Sequence, residues 1–276
     1  MNALPRSLDV SRPTYSTAFE QALSTEVLRE KVPAVFAPAA HERLSSSYTF
    51  LPTAQVLDAL GQAGFLPVEA RQAKTRAVSP LHARHLIRLR RRFETVALRE
   101  AVPELWVLNS HDGTSAYLIR AALYRAICTN GMVISVGVLP VVRVLHRGDI
   151  LDDIVRGALE MSERFGVLAT LVERMERTLL SESERLEFAG QALALRYPDD
   201  PPGTMTPSDL LMPRRPEDIG SDLWHTTNVL QESLLQGGIV RRAPDKRLTR
   251  TRRITAFREE LRLNSALWDL AMARAS

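Results

Sequence analysis

Between residues 52 and 146 the spacing of apolar positions changes several times, and each change predicts an element. In "PTAQVLDALGQAG" (52–64), Val56, Leu57, Leu60 and Ala63 recur at helical spacing, with Thr53 as a cap and Gly64 as a stop. "FLPVEARQAKTRA" (65–77) reads as a strand, "ARHLIRLRRRF" (83–93) alternates strictly, and "ELWVLN" (104–109) is a third short strand. A longer helix is predicted from about Ser115 to Cys128, where Leu118, Ile119, Ala122, Leu123, Ala126 and Ile127 form one stripe. "MVISVGVLPVVRVLH" (132–146) is β-rich, and Pro140 predicts a bulge, an edge or two short strands. The order helix, three-strand meander, long helix predicts an α+β fold: an antiparallel meander with the long helix packed across it.

The second half of the chain has helical periods. Residues 149–197 carry apolar residues at three and four spacing, with Ser181 placed to cap a second helix. Residues 198–216 hold six prolines and read as an arm or linker. "DLWHTTNVLQESLLQGG" (222–238) is a helix stopped by Gly237 and Gly238, and residues 256–275 form a last helix. The expected division is an N-terminal arm (1–47), an α+β core with trailing helices (48–197), a proline-rich linker (198–216) and a helical C-terminal lobe with a basic arm (217–276).

Composition narrows the class. At 276 residues and 45% hydrophobic content the chain can bury a substantial core. A single cysteine, Cys128, excludes an internal disulfide framework and a four-thiolate zinc site. The start lacks a leader pattern, and the longest uncharged run, "GMVISVGVLPVV", is too short to span a bilayer, so a cytoplasmic protein without membrane contact is expected. Net charge is only +4, yet 33 of the 36 cationic side chains are arginine. GC-rich codon usage produces that bias, and so does phosphate contact, for which the planar guanidinium fork is the better tool. Distribution along the chain decides between the two.

Three stretches could carry chemistry. On the alternating strand Arg84, Arg88, Arg90 and Arg92 share one face, opposite Ile87 and Leu89; such a face is either solvated or an anion-binding surface. Along the predicted helix Tyr117, Arg120 and Tyr124 recur on one side, a combination suited to stacking bases and holding phosphates. Near the C-terminus Arg241, Arg242, Lys246, Arg247, Arg250, Arg252 and Arg253 face one acid, Asp245, in what reads as a flexible arm. The polar turn Asn109, Ser110, His111, Asp112 and Gly113 is explained in large part by helix initiation, and Asn130 with Gly131 by helix termination. Pairing of Cys128 with His111 is not expected across that helix. His82 and His85 are poorly spaced for shared metal ligation on a strand, and GxGxxG, GxxxxGK[ST] and HExxH are absent, so neither metal nor cofactor is expected.

Several of these stretches together resemble the phage/plasmid-related protein family of unknown function (domain of unknown function 932), whose members carry an "NSHDG" turn and a following Cys-x-Asn-Gly. The resemblance extends over "HLIRLRR", "NSHDGTSAYLIRAALYRAICTNGMV", "DLWHTTNVLQESLLQGG" and "TRTRRITAFREELRLNSALWDLA". It implies a mobile-element context and a core motif of Asn109, Ser110, His111, Asp112, Gly113, Cys128, Asn130 and Gly131, and it supplies no catalytic residue. The order of elements is also similar to that of single-strand annealing recombinases, which implies a cationic groove between sheet and helix.

The expectation is therefore a non-enzymatic protein that binds DNA, in single-stranded form, through Arg84, Arg88, Arg90, Arg92, Tyr117, Arg120 and Tyr124 with help from Arg247, Arg250 and Arg252. Replacing Arg88 and Arg90 with alanine should then weaken binding and leave folding intact. Two alternatives stay open: a hydrolase or nuclease using His111, Asp112 and Asn109 in a pocket, and a module that binds a host protein through Trp224, Asn228 and Glu232. A homo-oligomer is open as well.

Overall fold

The computed structural model of the chain describes residues 22–74, 79–92, 101–125, 130–134, 139–199, 205–242 and 247–275. Its centre is a six-stranded antiparallel sheet of β1 (Phe65–Gln72), β2 (His85–Arg91), β3 (Ala101–Asn109), β4 (Tyr117–Arg125), β5 (Asn130–Val133) and β6 (Val142–Val144). The first five strands follow one another in a meander, and β6 pairs with the start of β4 beside β5. Pro140 lies between β5 and β6, in neither strand.

The sheet is covered on both faces. On one, Phe65, Ile87, Leu89, Leu105, Val107, Ile119 and Leu123 pack with α2 (Thr53–Gln62) and α3 (Ile150–Glu163), α1 (Thr25–Lys31) adding Leu28. On the other, Leu86, Trp106, Leu108, Ala122 and Val133 meet Phe257 at the start of α8 (Phe257–Met272). Strand alternation explains the partition, because odd positions of β2, β3 and β4 face α2 and α3 while even ones face α8.

The helical half comprises α3, α4 (Phe165–Arg177), α5 (Glu182–Arg196), the short α6 (Pro207–Leu210), α7 (Leu223–Gln236) and α8. Ser181 caps α5 in a reciprocal capping box with Glu184. Twelve residues of α7 are buried, and several of its polar side chains are bonded inside the protein: Gln231 donates to the Gly131 carbonyl and to Asn264 Oδ1, both at 2.9 Å. In the proline-rich stretch, Met205 and Leu210 belong to the main core with Leu211 packed against it, and α6 abuts α5 and α7, so residues 205–211 are packed, while Met212 to Arg214 are exposed.

One predicted element changes type. Residues 117–125, expected within a long helix, form β4, the strand that pairs with β3, β5 and β6. Ala, Leu and Arg favour helix by less than about 1 kcal/mol per residue, and β4 is buried on both faces, so its near-continuous apolar run carries no clear period of two. Asn130 and Gly131 accordingly open β5 and do not cap a helix. Gly131 lies against the Trp106 indole, where an added Cβ would stand 2.2 Å from Cζ2. Gly131→Ala is expected to cost about 1–3 kcal/mol by overpacking, read as a lower urea midpoint with an unchanged slope.

Candidate functional site

The arginine face of β2 is neutralised from within. A bulge between Pro67 and Glu69 in β1 sets Glu69 opposite Arg88. Glu104 on β3, fully buried, accepts from Arg88 Nε and Arg90 Nε, each at 2.7 Å, and Arg88 also pairs with Glu69. Arg71 donates to both oxygens of Glu260 on α8 at 3.0 Å. The Tyr124 ring lies 4.5 Å from the guanidinium carbons of both Arg88 and Arg90. Three arginines thus meet three carboxylates, and Arg88 is 3% exposed.

The other expected members of that face disperse. Arg84 precedes the strand and donates to the Thr114 carbonyl at 3.1 Å; Arg92 is exposed in the turn after it. Arg120, half-buried, donates to the Ile134 carbonyl and to Ser265 Oγ at 2.7 Å, and burial lowers its pKa. Tyr117 is fully buried on the opposite face. The helical spacing that joined Tyr117 to Arg120 and Tyr124 becomes a two-residue period in a strand, which parts them. The face expected to bind DNA is therefore a charge-paired layer under α8, and the arginine pair bears on folding.

The second candidate is the turn from Ser110 to Ala116, which joins β3 to β4 where a helix start was expected. Gly113 has φ +78°. Asp112 Oδ1 accepts from the Thr114 amide at 3.0 Å and from its hydroxyl at 2.6 Å, and Arg43 lies 3.5 Å from Oδ2. Partial burial opposes its charge, but the Thr114 and Ser110 donors and Arg43 hold the Asp112 carboxyl below the usual range.

Five of the six histidines gather here. His41 and His82 meet edge to face, the His41 amide donates to the His111 carbonyl, and the His85 and His111 rings lie 5.4 Å apart. The first residue of α2, Thr53, supplies the node. Its Oγ1 is 2.8 Å from His85 Nε2, 3.3 Å from His111 Nε2, 3.2 Å from the Tyr117 hydroxyl and 3.3 Å from Asn109 Nδ2. His85 Nδ1 faces the Ala83 carbonyl at 3.0 Å and so carries the proton; Nε2 then accepts the single Thr53 proton. Asn109 and His111 donate to Thr53 in return, and Tyr117 donates to the Leu51 carbonyl. Asn109 Oδ1 is left to accept from His146 Nε2 at 3.0 Å. His111 Nδ1 makes no hydrogen bond of standard geometry, although the Ala34 carbonyl acts on the ring.

Burial pushes His85 down to about 4 and, with His85 and His146 adding to it, His111 down to about 3. Both rings are neutral at pH 7. Among the described residues no group of three or more His, Cys, Asp or Glu is arranged to hold a metal, and Cys128 lies outside them.

A cleft of about 370 Å³ opens beside the turn, lined among others by Ser45, Ser47, Tyr48, Gly113, Ser115, Arg143, His146 and Arg147. His111, Asp112 and Asn109 do not line it. For the hydrolase alternative, the perturbed histidine lies outside this cleft. Trp224 and Asn228 are buried, Asn228 donating to the Trp224 carbonyl within α7, and Glu232 is held by Arg215, so that helix face is turned inward. Sequence reasoning read Thr53 as a helix cap, whereas it is the first residue of α2, follows the Pro52 cap position and turns its hydroxyl to the histidines; His146 was passed over, because its aromatic signal is a single residue remote from the turn.

In the basic C-terminal stretch, read from sequence as a flexible arm, the described residues include two paired strands, and Asp245 and Lys246 lie outside the described residues. β7 (Val240–Arg242) and β8 (Leu248–Arg250) form an antiparallel hairpin, pairing Val240 with Arg250 and Arg242 with Leu248. Its base is fixed by Gly238 N to Thr251 O at 2.8 Å and Thr251 N to Ile239 O at 3.0 Å. Arg247, Arg250, Arg252 and Arg253 are exposed, as are Leu248 (69%) and Val240 (48%).

Residues 40–268 match the family described as "Domain of unknown function (DUF932)". The chain belongs to that family. The matched region takes in the turn, all five gathered histidines and the hairpin. Curated relatives include "UPF0380 protein YafZ" of Escherichia coli (strain K12), 36% identical over 255 residues and 92% of each chain, and "UPF0380 protein YfjQ" of the same strain, 36% identical over 253 residues and 91% of each. No solved structure matches the chain. No described helix is long and apolar enough to cross a membrane.

Two measurements test these arrangements. Arg88→Ala removes one of the two guanidinium partners of the buried Glu104 and is expected to cost about 3–5 kcal/mol in urea denaturation. For the histidines, folded pKa values below the unfolded value near 6.5 mean that the unfolded chain binds more protons, so stability is complete above about pH 6.5 and declines as pH falls towards 4 and 3. Each ring contributes up to about 1.4 kcal/mol per pH unit, and stability that stays flat from pH 7 to 5 would contradict the neutral, buried assignment.

Proposed function

We propose that the chain is a nucleic-acid-binding protein that engages single-stranded DNA through the β7–β8 hairpin, in annealing, recombination or protection of DNA. One observation carries the reading. Of the two arginine-rich features, the β2 face is charge-paired beneath α8, whereas the hairpin and the residues after it present Arg247, Arg250, Arg252 and Arg253 to solvent. Asp245 is the sole acid in the sequence from Gly237 to Ala256. Guanidinium groups contact phosphates, and the exposed Leu248 and Val240 on the same ribbon face as Arg250 supply apolar contact to unstacked bases.

Fluorescence anisotropy with labelled single-stranded and duplex oligonucleotides, titrated across salt, tests this. Binding should favour the single strand, and Arg250, Arg252 and Arg253 replaced together by alanine should weaken it at least tenfold. The triple variant should also reduce the log–log salt slope by about 2, at ~0.7 per phosphate contact, with stability unchanged. Absence of binding at low salt overturns the reading, and undiminished binding by the triple variant removes the hairpin from it.

A further inference from the structure

The cleft beside the turn combines features that the hairpin reading does not use. Two arginines, Arg143 and Arg147, are exposed and line it from the segment after Pro140, and the hydroxyls of Ser45, Ser47 and Ser115 line it as well. Its lining contains no carboxylate. Tyr48 stacks on His146, rings 4.4 Å apart and 19° from parallel, so the wall between the cationic and hydroxyl groups is aromatic. A volume of about 370 Å³ suits a small organic anion.

The hydrogen-bond chain behind the wall has one direction. His85 donates to Ala83, Thr53 to His85, Asn109 to Thr53 and His146 to Asn109. His146 Nε2 therefore holds a proton and Nδ1 holds a lone pair, yet Nδ1 lies 3.3 Å from the Thr49 carbonyl. Two acceptors facing each other repel, and a proton on Nδ1 turns the contact into a hydrogen bond. The groups around the ring are Tyr48 from the 41–50 loop, Tyr117 of β4, His111 of the turn, and Arg143 and Arg147 on its own segment; Asp112 reaches it only through Tyr48. Burial opposes the proton while the cleft is empty and the Thr49 and Ser115 carbonyls favour it, and a bound dianion adds a negative field that favours it further.

We propose that this cleft binds a phosphate monoester, held by Arg143 and Arg147, and that His146 takes up a proton at Nδ1 as the anion enters. The monoester is either a free nucleotide or the terminal phosphate of a DNA strand, since both present the same dianion. The assignment rests on the cleft alone and stands whether or not the hairpin binds DNA.

Isothermal titration calorimetry with deoxyadenosine monophosphate and with inorganic phosphate, at pH 7.5 in Tris and in Hepes, tests it. Saturable binding is expected, with heats that differ between the buffers in the sense of proton uptake by the protein. Arg143→Ala and Arg147→Ala should each weaken binding about tenfold. His146→Gln keeps an N–H for Asn109 but cannot titrate, so it should bind without the buffer difference. The hairpin triple variant should bind deoxyadenosine monophosphate as the parent does, which separates this proposal from the previous one. A 5′-phosphorylated oligonucleotide binding more tightly than its 5′-hydroxyl counterpart assigns the site to strand ends, and equal binding with retained mononucleotide affinity assigns it to free nucleotides. No heat with either small probe at millimolar concentration overturns the site, and buffer-independent heats in the parent overturn the proton coupling.

Discussion

Glu104 is the carboxylate on which the sheet depends. It is fully buried on β3, and a buried carboxylate is tolerable only when charged donors meet it. Arg88 and Arg90 on the neighbouring strand do so through their Nε atoms, and the Tyr124 ring from β4 lies against both guanidinium groups. Three adjacent strands are thereby tied on one face. Arg71 extends the layer to Glu260, which brings α8 down over the sheet and buries Phe257 against Trp106, Leu86 and Leu108. The C-terminal helix is thus part of the same body as the meander.

Thr53 has the corresponding place at the end of the sheet near the turn. One hydroxyl at the start of α2 meets groups from β2, β3, β4 and the turn. Because the oxygen has one proton and two lone pairs, it fixes the direction of every hydrogen bond around it. The rigidity of the turn follows from these contacts and from the Asp112 bonds to Thr114, without a helix start. This satisfied interior lies directly behind the cleft, where His146 joins the buried network to an aromatic, cationic surface.

The two exposed basic features have different physical characters. The hairpin is a narrow ribbon with arginines and two exposed apolar side chains, suited to an extended polymer. The cleft is concave and bounded by hydroxyls and two arginines, suited to a compact anion. Charge paired across β2 and β3 serves cohesion, since its fields cancel within the layer.

Local chemistry was legible wherever a residue's own neighbours decided its state. Ser181 at the start of its helix, Gly237 after its helix, and the alternation of Ile87 and Leu89 against Arg88 and Arg90 all read directly from the sequence, and two short strands around Pro140 were one of three readings. Three matters were decided by tertiary structure. Residues 117–125 became a strand because ladders and packing on both faces outweigh a small helical preference. Tyr117 was separated from Arg120 and Tyr124 by that same change of period. Arg88 was assigned to cohesion by Glu69 and Glu104, whose register with it depends on a bulge and a strand pairing. Sequence by itself determined charge, the start of α5 at Ser181 and the stop of α7 at Gly237, which are short-range properties; the fold decided the period of residues 117–125 and which charges meet, because both depend on partners distant along the chain.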